Sequence, residues 1–347
     1  MSNLISTFIK NSGLHIKNCI GNSIDGAANM RGQYNGFTSW LSKESPGQIH
    51  VWCYAHVLNL VVTDATSSVI EGTSLFQLLN SCAVFLRESY QRMDVWENTS
   101  VIIRYQRLNV IGETRWSAKE TALKKFFGHY DNKETSLYVD LLITLNYFVS
   151  NVSFNAQIRH TASTLMESLL RFKVILTAHI YLKIFQYIGP LSKYLQTSNL
   201  DYLTAYNMVT STLNSLKKFS RDFSNVKEKS NSFAKRANTL LEEENCEIIV
   251  EEDIPEVRFR RRKRMPDKIT EDHEFQNPIE KYKITTFNVI MDTTINTIEN
   301  RFKNHGKLYA DMAILDPKNF TDNKCSENSL KYHKTATASN LREEGIN

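Results

Sequence analysis

Four short stretches carry residues with chemistry in them. In "SIDGAANM", Asp25 ends an apolar run and Gly26 follows it. A carboxylate at the carboxyl end of a strand stands where ligands and metal ions sit on an open α/β sheet. The glycine lets the backbone turn tightly beside it. Asp25 serves equally well as the N-cap of a following helix. In "CYAHVLNL", Cys53 and His56 form a C-x-x-H pair. Tetrahedral zinc needs four ligands, and neither His50 nor Cys82 completes a finger-like spacing, so the pair reads as a lock at a strand–helix junction. In "ETRWSAKE", Arg115 offers a guanidinium for a phosphate and Trp116 an indole for an unpaired base. The alternative there is a core tryptophan beside a surface arginine. In "RFRRRKR", Arg258, Arg260, Arg261, Arg262, Lys263 and Arg264 form a basic run, read as a nuclear-import signal, a phosphate-contacting patch or a solvated charge run.

These residues need elements to hold them. Residues 14–24 and 48–53 read as strands, with a helix between them ending near Ser45-Pro46-Gly47. Val57, Leu58, Val61 and Val62 then recur at helical spacing. The opening is therefore β-α-β-α, the pattern of a sheet flanked by helices. From residue 74 onward helices dominate. Ser117 and Glu120 suggest a capping box at the start of one, and 155–195, 200–242 and 280–304 read as amphipathic helix. Residues 242–275 hold an acidic run and then the basic one, predicting a disordered charged loop. The polar stretch after Asp316 predicts a disordered tail.

Bulk composition sets outer limits. The 347 residues are 41% hydrophobic and 23% charged, with 12 glycines and 6 prolines, a composition that favours long helices over many turns. A net charge of +5 permits nucleic-acid contact without demanding it. The five cysteines are scattered and include no CxxC, which argues against a disulfide framework or zinc ribbon. No signal peptide is read at the start. The most apolar run, 172–189, is interrupted by Lys173, His179, Lys183 and Gln186, so no membrane partner is expected.

The order "DGAANMRG", "WCYAHVLNL", "TRW" and then a long helical region resembles the transposases of the hAT superfamily, in particular the domesticated branch that includes zinc finger MYM-type proteins. The resemblance runs from about residue 4 to about residue 320. It implies a partial ribonuclease H-like α/β sheet (1–118) and a large all-helical insertion (119–310), mostly α overall, with the tail at 311–347.

The resemblance also implies DNA strand cleavage and transfer by three acidic residues holding two Mg2+ ions. Asp25 stands where the second acid lies. Cys53 and His56 match a packing signature beside the active site, and Arg115 and Trp116 match a pair that meets a flipped base at the transposon end. The first acid lies upstream in the family, yet residues 1–24 contain neither Asp nor Glu. Glu327 and Glu343 match the region of the third acid poorly. The expectation is a chain truncated at both ends relative to the family, with only weak metal binding at Asp25. It would be a catalytically inactive, transposase-derived protein in the nucleus, or failing that the cytoplasm. It would act through DNA, a protein partner or its own copies, with no small-molecule substrate. The alternatives are an incompletely represented active transposase and a nuclear interaction module.

Overall fold

The computed structural model describes residues 2–24, 36–99, 108–112, 116–131, 136–197, 200–256 and 277–303. The fold is mostly helical. Its elements fall into two compact units, one made of Met1–Leu60, Ser192–Thr210 and Glu299–Asn347, the other of Val61–Leu191 and Ser211–Ile298.

The first unit opens with α1 (Ser2–Asn11), followed by a 3-10 turn at Ile16–Asn18 and then β1 (Gly21–Ile24), α2 (Phe37–Glu44), β2 (Ile49–Trp52) and α3 (Tyr54–Ser67), which runs on into the second unit. The two strands pair in parallel, Gly21 opposite Ile49 and Ile24 opposite Trp52. With α2 between them they make the expected β-α-β unit. Buried Ser45 ties the end of α2 to the entry of β1, its hydroxyl reaching the carbonyls of Cys19 (3.0 Å) and Lys17 (3.2 Å).

The predicted strand at 14–24 is too long. Asn18 and Cys19 satisfy their amides locally, Asn18 N–H donating to the His15 carbonyl and Cys19 N–H to that of Ile16, both at 3.0 Å. The ladder extends only as far as the four residues of β2 allow.

The second unit holds α4 (Ile70–Arg87), α5 (Tyr90–Thr99), α6 (Trp116–Phe127), α7 (Tyr138–Ser150), α8 (Ala156–Leu169) and most of α9 (Phe172–Leu195). The C-terminal part of α10 (Tyr202–Phe219), α11 (Phe223–Glu243) and α12 (Pro278–Tyr282) follow, then a π-helical turn at Lys283–Asn288 and the larger part of α13 (Val289–Lys303). Through the second unit most of α9 is buried, from Phe172 and Ile175 to Phe185 and Ile188, while Lys173 and Gln186 stay exposed. A helix with so wide an apolar face belongs against a core. By length and composition α9 is apolar enough to span a bilayer, but 67% of that window is buried within the protein, as in a core helix. Its polar members are satisfied in place: His179 Nδ1 lies 2.8 Å from the Ile175 carbonyl, and the Thr177 and Tyr282 hydroxyls are 2.6 Å apart.

Two sequence expectations need correction here. The stretch 155–195 is two helices, parted at Leu170-Arg171. The charged loop expected over 242–275 is held firmly through residue 256. Asn238 clamps Val250 by donating to its carbonyl (3.1 Å) and accepting its amide (2.8 Å), and Val250 and Ile254 are buried. The Glu251 carboxylate accepts the Phe172 amide at 3.0 Å and so caps the start of α9. Apolar anchors within an acidic run (Val250 and Ile254 here) are what a reading by charge alone passes over. Residues 257–276 and the tail at 311–347 lie outside the described residues.

Candidate functional site

Parallel strands present their carboxyl ends at one edge, and β1 and β2 end together at Ile24 and Trp52. Cys53 extends the pairing, its amide donating to the Ile24 carbonyl at 3.0 Å. Its own carbonyl accepts the Val57 amide at 2.9 Å and so begins α3. One residue thus closes the sheet and opens the helix, through its backbone. His56 lies three residues on, in the first turn of α3, and both side chains are half-buried. That turn directs the positive end of the helix dipole toward the strand ends. Tyr54 is buried behind it, with its ring 5.5 Å from Phe302. Asp25 follows Ile24 directly in the chain, but Asp25 and Gly26 lie outside the described residues.

Trp116 belongs to the other unit and opens α6. Its ring is buried and stands 5.5 Å from that of Phe185. This is the core placement that sequence held as the alternative to base stacking, and stacking would require the indole to leave Phe185. Arg115 lies outside the described residues, as do Arg258, Arg260, Arg261, Arg262, Lys263 and Arg264.

The expected capping box does not form. Trp116 already belongs to the helix, the Ser117 carbonyl accepts the Thr121 hydroxyl at 2.8 Å, and Glu120 pairs with Lys124 at 2.5 Å. Lys119, on the same helix, is drawn inward: its ammonium donates to the Thr66 hydroxyl at 2.7 Å and lies 5.2 Å from the centre of the Phe76 ring. Burial lowers its pKa below the usual lysine value.

Cys82, weighed in sequence as a neighbour of the C-x-x-H pair, is fully buried in α4, and burial pushes its thiol up to about 12. A thiol so protonated is neither a nucleophile nor a ready metal ligand. Among the described residues no three His, Cys, Asp or Glu side chains stand together as an ion would require.

Sequence offered no reason to single out Arg92, because a lone arginine in a helical run carries no spacing signal. In the structure it is 12% exposed and lies on the wall of a groove.

No known protein-family model matches the chain, and no solved structure matches it.

Proposed function

We propose that this chain is a hAT transposase-like protein that binds DNA and, on its own residues, does not cut it. The single observation that carries the reading is the parallel β1–β2 pair. It ends at Ile24 and Trp52, immediately ahead of Asp25 and of the Cys53–His56 stretch. A β-α-β unit with a carboxylate at the strand end is the local arrangement a ribonuclease H-like core requires. The motif order from "DGAANMRG" through "TRW" supports the same reading, and so does the helical bulk that follows it.

The binding side of the proposal rests on charge. Six cations between Arg258 and Arg264 give a sequence-independent attraction for the phosphate backbone, of the order of micromolar at moderate salt. Arg115 adds a further phosphate contact. The same basic run is the nuclear-import signal in this reading. Protein partners or self-association are compatible with it, and no small-molecule substrate is required.

The chemical side rests on ligand count. Two-metal phosphoryl transfer needs several carboxylates converging on ions about 4 Å apart. Residues 1–24 contain neither Asp nor Glu, so none of them joins Asp25 in holding an ion. A lone carboxylate leaves Mg2+ largely hydrated and weakly held. Cleavage chemistry would return only where further acids complete the set.

The test is nicking of supercoiled plasmid with Mg2+, comparing wild type with Asp25→Asn. The expected result is background nicking that is the same for both. Mg2+-dependent nicking abolished by the substitution would overturn the non-catalytic reading and favour an active transposase core.

A further inference from the structure

Cations gather on the helical unit where α9, the end of α10 and the start of α11 meet. Lys183, one of the residues that interrupt the apolar run of α9, lies against two aromatic rings. Its ammonium is 4.6 Å from the centre of the Tyr130 ring and 5.0 Å from that of Tyr187. Lys229 on α11 brings a second ammonium to within 4.6 Å of the Tyr130 ring. Two like charges on one ring repel, and a carboxylate takes up only one of them. Asp131 pairs with Lys229 at 2.5 Å and accepts the Gln186 amide at 2.9 Å. Lys183 is left with the neutral Gln186 oxygen at 3.0 Å.

The end of α10 adds two more cations. The Arg221 amide donates to the Lys218 carbonyl at 3.2 Å, a turn that brings side chains three residues apart to the same side, and both residues are exposed. Burial raises the pKa of the Tyr187 hydroxyl, Lys218 opposes the rise, and Asp131 and Asp222 add to it, so these charges share one neighbourhood with Lys183. Asp222 accepts the Asn225 side-chain amide at 2.9 Å. Among the described residues Lys183, Lys218 and Arg221 form no ion pair with a carboxylate. With Asp131 matched by Lys229, these three cations face the single charge of Asp222.

The surroundings decide what such a face fits. The three cations come from separate elements and do not converge on one point, so they match a row of negative charges better than one small anion. Tyr130 is only 4% exposed, and the Tyr187 ring stands 6.2 Å from that of Phe219 under the Lys183 ammonium. Neither ring offers the open platform on which an unpaired base stacks. Charge without base readout suits the phosphate backbone of a duplex.

We propose that this face is a second DNA contact, with Lys183, Lys218 and Arg221 each donating to a different backbone phosphate. The inference rests on the DNA-binding reading above and names for it a surface that the sequence motifs do not reach. Its contribution is independent of base sequence and adds to that of the basic run at 258–264.

The test titrates the full chain into a fluorescently labelled duplex across a salt series. The log–log salt slope should fall by about 2.7 in Lys183→Gln/Lys218→Gln/Arg221→Gln, roughly 0.9 per lost contact. The same fall should appear in a chain already carrying Ala at 258 and 260–264, which separates this face from the basic run. Lys10→Gln/Lys17→Gln/Lys43→Gln removes equal charge from exposed positions of the first unit and should leave the slope unchanged. Thermal melts separate lost contacts from lost folding. The double variant Lys218→Gln/Arg221→Gln, which leaves Lys183 on its rings, should melt with wild type and lower the slope by about 1.8. An unchanged slope in a folded triple variant of a chain that binds DNA would overturn this inference and leave the DNA-binding reading standing. So would an equal fall in the first-unit variant. A wild-type chain that does not bind the duplex at about 50 mM salt would overturn both.

Discussion

Replacing Phe185 by alanine is expected to lower the stability of the helical unit by about 3–5 kcal/mol, the usual cost of deleting a fully buried aromatic side chain. Phe185 is 1% exposed and stands where three rings meet: Trp116 at 5.5 Å, Tyr181 at 6.1 Å and Phe76 at 6.4 Å between centroids. No neighbour can fill the gap without leaving another ring unsupported, so the cavity persists. The substitution also tests where Trp116 belongs. With its platform gone the indole should become accessible, seen as acrylamide quenching that rises above wild type in Phe185→Ala and loses that increase in Phe185→Ala/Trp116→Phe. Unchanged thermal stability would remove Trp116 from the core and return it to candidacy as a base-stacking residue.

The second large effect falls on Gly72, in the first turn of α4, just past a bend of 103° between α3 and α4. A β-carbon there would stand 2.3 Å from the Tyr181 hydroxyl oxygen and 2.6 Å from the Thr66 carbonyl oxygen. Side chains move aside, but a backbone carbonyl at the end of a helix does not. The Tyr181 hydroxyl also donates to the Ala65 carbonyl at 3.0 Å, inside the core, and a methyl group would push it off that bond. Overpacking and a lost buried hydrogen bond together cost about 3–5 kcal/mol. For a unit of this size the melting temperature should fall by roughly 10 °C.

The sign makes Gly72→Ala informative, because alanine for glycine at an exposed helical site stabilises by about 1 kcal/mol. Adding Tyr181→Phe removes the closer contact and leaves the Thr66 carbonyl in place, so the double variant should recover only part of the loss. A Gly72→Ala chain as stable as wild type would mean that the helices at this bend are farther apart than described.

Local signals carried much of the fold. The β-α-β opening was legible because two short apolar runs flank a helix that ends at Ser45-Pro46-Gly47, and β2 falls at Ile49–Trp52, within the predicted 48–53. The strand at 14–24 was overdrawn because apolar character marks a candidate strand, whereas its length is set by the partner. The break between α8 and α9 has no marker of its own. It is stabilised by Glu251, far along the chain, which caps α9 from within a stretch that sequence read only as charge.

The candidate site was legible to the same degree. The C-x-x-H spacing placed Cys53 at a junction, which it holds through backbone bonds that no side-chain pattern encodes. Trp116 was ambiguous because exposure decides between core and base stacking, and exposure follows from Phe185 lying opposite, on another helix. Arg92 could not be found in sequence at all, since its groove is made by three helices.

The central claim, that this chain engages DNA through phosphate contacts, is tested most directly by fluorescence anisotropy of a labelled duplex across a salt series. Wild type is compared with a variant carrying Ala at 258 and 260–264. The expected result is wild-type binding at low salt whose log–log salt slope falls by roughly five in the variant, about 0.9 for each of the six lost cations. A wild-type chain that fails to bind at about 50 mM salt, or a variant with an unchanged slope, would contradict the claim.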